Sequence, residues 1–79
     1  RELTRVARSV PGVEGIDKVY ARKTGFRYHV DLHIEVTPSM SVADAHALGG
    51  QVRSTLRAQL PWVADVLIHV EPAGDERRP

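Results

Sequence analysis

The sequence predicts an α+β domain: a two-layer sandwich ordered helix, strand, strand, helix, strand, with both helices on one face of a three-stranded mixed sheet. Three observations carry that expectation. Residues Tyr28 to Val36 (YHVDLHIEV) alternate without a break. Tyr28, Val30, Leu32, Ile34 and Val36 fall on one side and His29, Asp31, His33 and Glu35 on the other, the period of a strand with one buried face. A shorter alternating run precedes this strand across a glycine-containing break, the pattern of a hairpin. A long helical stripe separates it from a third alternating run, so the strands joined by that helix should lie parallel.

In chain order, Leu3, Val6 and Val10 fall at helical spacing, so a short amphipathic helix runs from Arg1 to about Ser9 and stops at Pro11 and Gly12. No Ser, Thr, Asp or Asn stands before it as a cap, and we expect it to continue a longer helix upstream, in a larger protein. From Ile16 to Arg22, Val19 and Ala21 alternate with Lys18, Tyr20 and Arg22. Lys23-Thr24-Gly25 then turns the chain into the central strand and closes an antiparallel hairpin. Thr37-Pro38-Ser39 ends that strand. Ser41 to Asp44 has the spacing of a capping box and opens a helix from Val42 to about Gln59, with Ala45, Leu48, Val52 and Leu56 on one stripe. Gly49 and Gly50 lie inside it, where each costs up to about 1 kcal/mol relative to Ala unless close packing uses the missing side chain. Pro61 stops the helix. Asp65 to Glu71 is the third strand, with Val66, Ile68 and Val70 inward and Leu67, His69 and Glu71 outward. The crossover should be right-handed and set the second and third strands side by side, a ferredoxin-like arrangement lacking its first strand. Residues 1–72 read as one domain, and the polar tail from Ala73 to Pro79 is expected to be disordered.

Seventy-nine residues bury little core, and with no cysteine the remaining stabilisers are a metal, oligomerisation or tight packing. A net charge of +1 gives no strong overall field for nucleic acid or an anionic membrane. There is no apolar run long enough to span a bilayer, and the N-terminal residues lack a signal-peptide core.

The outward sheet face is where chemistry is expected. With the second and third strands as neighbours, His33 and His69 come within reach of one ion, since adjacent strands lie about 4.8 Å apart. Glu71 follows on the same face, and His46, in the first turns of the long helix, could approach the end of the sheet. Three imidazoles and a carboxylate are ligand types of tetrahedral Zn²⁺, while Co²⁺, Mn²⁺ and Fe²⁺ share the same nitrogen and oxygen preference. The competing reading is that these histidines are solvated surface residues. His29, four residues before His33, is too far along the strand to share the ion. Asp31 and Glu35 are either solvated or paired with Lys18 and Arg22. Trp62 reads as a partly buried loop anchor. An enzyme is not expected: there is no cysteine, nucleophile elbow or phosphate-cradling loop, and an open sheet face offers no pocket.

The succession from Val10 to Pro72, above all DLHIEV, SVADAH and DVLIHVEP in that order and spacing, resembles the cytoplasmic C-terminal domain of the cation diffusion facilitator (cation efflux) transporters. The resemblance implies a metallochaperone-like fold on the cytoplasmic side of a membrane, joined to an upstream transmembrane domain. It also implies a homodimer that binds divalent cations at its interface and thereby promotes transport. Carried over residue by residue, the metal-binding positions are His33, His46, His69 and Glu71. Asp17 stands where several members have a histidine, a weaker ligand position, and His29 stands where members carry an aromatic residue. The implied ion is Zn²⁺ first, with Mn²⁺, Fe²⁺, Co²⁺ or Cd²⁺ as alternatives. Histidine ligation implies release of the ion as pH falls through the ordinary imidazole range of about 6.5. The rival is a metal-free dimerisation module with a His-rich surface. An RNA-binding domain stands third, since only Tyr20 is expected as a stacking aromatic on the open face.

Overall fold

The computed structural model describes residues 2–74, and its centre is the alternating strand. The elements are α1 (Glu2–Arg8), β1 (Gly15–Thr24), β2 (Arg27–Val36), α2 (Val42–Gln59) and β3 (Val63–Pro72), in the expected order. The sheet order is β1-β2-β3, with β1 antiparallel and β3 parallel to β2. Val30, Leu32, Ile34 and Val36 of β2 are buried beneath the helices with Leu3, Val6, Val52, Leu56 and Val66, forming one core. The histidine-bearing face is left uncovered. The chain's last expected segment is seen only at Ala73 and Gly74, which form a turn, and residues 75–79 lie outside the described residues.

Local chemistry explains the element ends. The Ser41 hydroxyl oxygen accepts the Asp44 backbone N–H at 3.0 Å and caps α2, whose bounds are those the sequence predicts. At its other end the Leu60 N–H donates to the Leu56 carbonyl before Pro61. The hairpin turn is tighter than expected. β1 runs on to Thr24, which pairs with Arg27, so only Gly25 and Phe26 make the turn. Gly25 takes φ +66° and Phe26 has no positive φ, the φ pattern of a type II′ turn with glycine first, which matches the twist of the flanking strands.

One irregularity breaks the simple alternation of β1. Ile16 pairs with Ile34 and Lys18 with His33, so Asp17 is an extra residue in a β-bulge. Strict alternation would put Asp17 on the side of Val19, yet Ile16 packs on the core there. β3 begins two residues earlier than the sequence suggests, because Val63 pairs with Tyr28 and its carbonyl accepts an Arg27 guanidinium N–H at 3.1 Å.

Candidate metal centre on the open sheet face

In-register parallel pairing sets His33 opposite His69. Both point away from the helices, because their neighbours Leu32, Ile34, Ile68 and Val70 pack on the core. The two imidazoles stack, with centroids 4.2 Å apart and planes 10° from parallel. Tyr20 of β1 meets His33 edge-on at 6.3 Å and 81°.

Glu71 is opposite Glu35 in register, an arrangement that places like charges side by side. Its carboxylate reaches back instead to His33, with Oε2 2.6 Å from Nδ1. A carboxylate at Nδ1 holds the hydrogen there and leaves the lone pair on Nε2, the way a metal-ligating histidine is usually oriented. The pair is mostly buried from solvent, with side-chain exposures of 19% and 23%. Glu35 lies over Gly15, where a Cβ would stand 2.7 Å from its Oε1, so the glycine makes room for this carboxylate.

The structure brings together His33, His69 and Glu71 of the expected ligands and leaves His46 apart. α2 packs on the inner side of β3, with Gly49 against Ile68 and Val70, so His46, one turn earlier, stands in the helix layer. There it lines a cavity of about 330 Å³ with Arg53, Asp65 and Leu67. Asp17, in the bulge beside Lys18, is half-buried. Among the described residues no three His, Asp or Glu side chains are gathered so as to hold an ion within this one chain. His29 is exposed beside Asp65 at the other end of the strand, and Trp62 packs edge-on against Tyr28 at 5.7 Å, the loop anchor expected.

Two contacts escaped the sequence. Arg53 of α2 donates to Asp65 Oδ1 at 2.9 and 3.1 Å and ties the helix to β3. The Val66 backbone N–H, donating to the same carboxylate, together with Arg53 holds the Asp65 carboxyl below its ordinary value of 3.8. The His33–Glu71 bond is diagonal across the strand pair, and its only signal in the sequence is the shared outward parity of both residues.

The family described as cation efflux protein, cytoplasmic domain, matches residues 1–73. The chain belongs to that family. Among relatives of this cation efflux domain, metal tolerance protein C1 of Arabidopsis thaliana is 39% identical over 64 residues, covering 81% of this chain and 14% of that protein. Cation-efflux pump FieF of Pectobacterium atrosepticum is 31% identical over 74 residues, covering 94% of this chain and 24% of the pump. The chain therefore spans a quarter or less of the length of these relatives. Among solved structures, MamM-CTD superposes with a TM-score of 0.86 at 26% identity, covering 89% of each chain. The cation efflux domain shares the metallochaperone-like fold of that structure. Among the described residues no helix is long and apolar enough to cross a membrane.

Proposed function

We propose that this cation efflux domain is the regulatory, dimerising unit of a divalent-cation exporter, and that it binds a cation on its open sheet face. The observation that carries the reading is the stacked His33–His69 pair with Glu71 on His33 Nδ1. His33 and His69 supply imidazole nitrogens, and Glu71, which orients His33, supplies a carboxylate oxygen. This set suits Zn²⁺ first and Mn²⁺, Fe²⁺, Co²⁺ or Cd²⁺ next. A cadmium form of a MamM CTD variant, 26% identical to this chain, supports a divalent ion in such a domain.

Two imidazoles and one carboxylate fall short of a closed tetrahedral set, so donors from a second copy complete it. Asp31, Glu35 and Glu71 on the same face would repel their counterparts across a two-fold axis. A shared cation offsets that repulsion and selects the closer dimer, and the coupling to transport is no larger than the ion's differential affinity for the two arrangements. His46, in the helix layer, and Asp17, in the bulge beside Lys18, come second as ligands. The rival reading is a metal-free dimerisation module.

Thermal unfolding of the metal-stripped chain with Zn²⁺, Mn²⁺ or Fe²⁺, at several protein concentrations, separates the two. A cation at about a hundredfold excess over its dissociation constant should raise the midpoint by about 10 °C or more. His33→Ala with His69→Ala should abolish the shift and the accompanying dimer tightening. No shift with any ion would leave the metal-free module standing, and a shift that survives in the double variant would remove His33 and His69 as ligands.

A further inference from the structure

The β1–β2 hairpin carries a charge pattern that the net charge of the chain conceals. From Lys18 to Val30 the sequence holds Lys18, Arg22, Lys23, Arg27 and His29 and no Asp or Glu, although the whole chain carries only +1. At the tip, the two-residue turn on Gly25 holds Phe26 out into water at 97% exposure. Arg22, Lys23 and Arg27 are exposed around it. Arg27 donates one N–H to the Val63 carbonyl, and a guanidinium has further donors to offer. A lone exposed apolar side chain is ordinary, but this one stands at a hairpin turn with three exposed cations near it in the chain and packs on nothing in the core.

The same end of the molecule is aromatic. Leu3, Val19, Ala21, Tyr28 and Trp62 line an apolar cavity of about 270 Å³ just behind the tip. An apolar wedge backed by Trp and Tyr and collared by Arg and Lys is the composition of a surface that sits in the headgroup layer of a bilayer.

We propose that the hairpin tip is a membrane-surface contact, in which Phe26 enters the headgroup boundary and Arg22, Lys23 and Arg27 meet anionic phospholipid headgroups. Charge complementarity calls for an anionic surface, and the composition of the adjoining sheet face selects the bilayer over RNA. An RNA-reading sheet interleaves stacking aromatics with basic residues, whereas this open face carries Asp31, Glu35 and Glu71. No residue of the tip belongs to the histidine cluster, so the proposal stands apart from the metal reading. It gives a cation efflux domain a fixed end to present to the bilayer.

The test is co-sedimentation of the 79-residue chain with vesicles of phosphatidylcholine alone or mixed with phosphatidylserine, at low and high salt. Partition should occur on the mixed vesicles and be lost at high salt. Arg22→Glu with Lys23→Glu should lower it by at least about 25-fold, each cation near the surface being worth about fivefold. Phe26→Ser should lower it about tenfold. Phe26→Trp should keep it and show blue-shifted emission on the vesicles. All three positions are exposed, and unchanged thermal unfolding confirms that the variants fold. No partition at low salt, equal partition on neutral vesicles, variants that match the parent, or an RNA oligonucleotide that displaces the chain from the vesicles would each overturn the proposal.

Discussion

His33 and His69 face each other across the β2–β3 pair with 4.2 Å between ring centroids, and the cause is register rather than local sequence. Parallel strands joined by α2 place residue 33 opposite residue 69, and both side chains leave the sheet on the side the helices do not cover. A slip of β3 by one residue would turn His69 to the buried face or offset it from His33. Because Glu71 fixes Nδ1 of His33, we predict that Glu71→Gln lowers cation affinity about tenfold or more while the metal-free unfolding midpoint barely moves. Titration calorimetry with Zn²⁺ reads the first and a thermal melt the second. An unchanged affinity would remove Glu71 from the centre.

The Arg53–Asp65 pair gives a pH prediction with a definite sign. The Asp65 carboxyl is held low by the Val66 N–H and by Arg53, so the contribution is present above about pH 3.8 and fades as pH falls through the lowered folded value. Both side chains are about half exposed, which keeps the pair worth less than about 1 kcal/mol. Asp65→Asn should therefore destabilise slightly near neutrality in urea titrations, and the gap from the parent should close in strong acid. A gap that widens on acidification would contradict the assignment.

The glycine pair of α2 should split. Nothing lies within 4 Å of a Cβ built on Gly50, so Gly50→Ala should stabilise by up to about 1 kcal/mol through helix propensity alone. Gly49 faces Ile68 and Val70, where a Cβ would make ordinary contact at 3.5 and 3.6 Å, so Gly49→Ala should be tolerated. Gly12 marks the other limit: at φ +102°, with Leu48 3.1 Å from its Cβ position, Gly12→Ala should destabilise. Chemical denaturation of the three variants ranks them, and a stabilised Gly12→Ala would refute the backbone argument.

Leu32 is fully buried at the centre of β2, and Leu32→Ala should cost about 2–5 kcal/mol. In a domain this small that is a large share of the total stability. Loss of a cooperative unfolding transition at ambient temperature is the expected outcome. A cation that binds the folded form should restore part of the transition by mass action if the histidine cluster holds it.

Much of this domain was legible in one dimension because its signals are local. The alternation from Tyr28 to Val36 specifies a strand and its two faces, since successive side chains must point opposite ways. Ser41 and Asp44 specify the start of α2 because the cap is made within one turn. The parallel placement of β2 and β3 also follows, from the length of the helix between them. What only the tertiary structure decided depends on how separate elements meet. The bulge at Asp17 arises from pairing with β2, Glu71 chooses His33 over its register partner, and Arg53 finds Asp65 across the layers. His46 shares a ligand's chemistry with His33, yet α2 lies against the inner side of the sheet and carries it away from the open face. Residue type and spacing set what a side chain can do. Register and layer packing, which no local pattern encodes, set which side chains do it together.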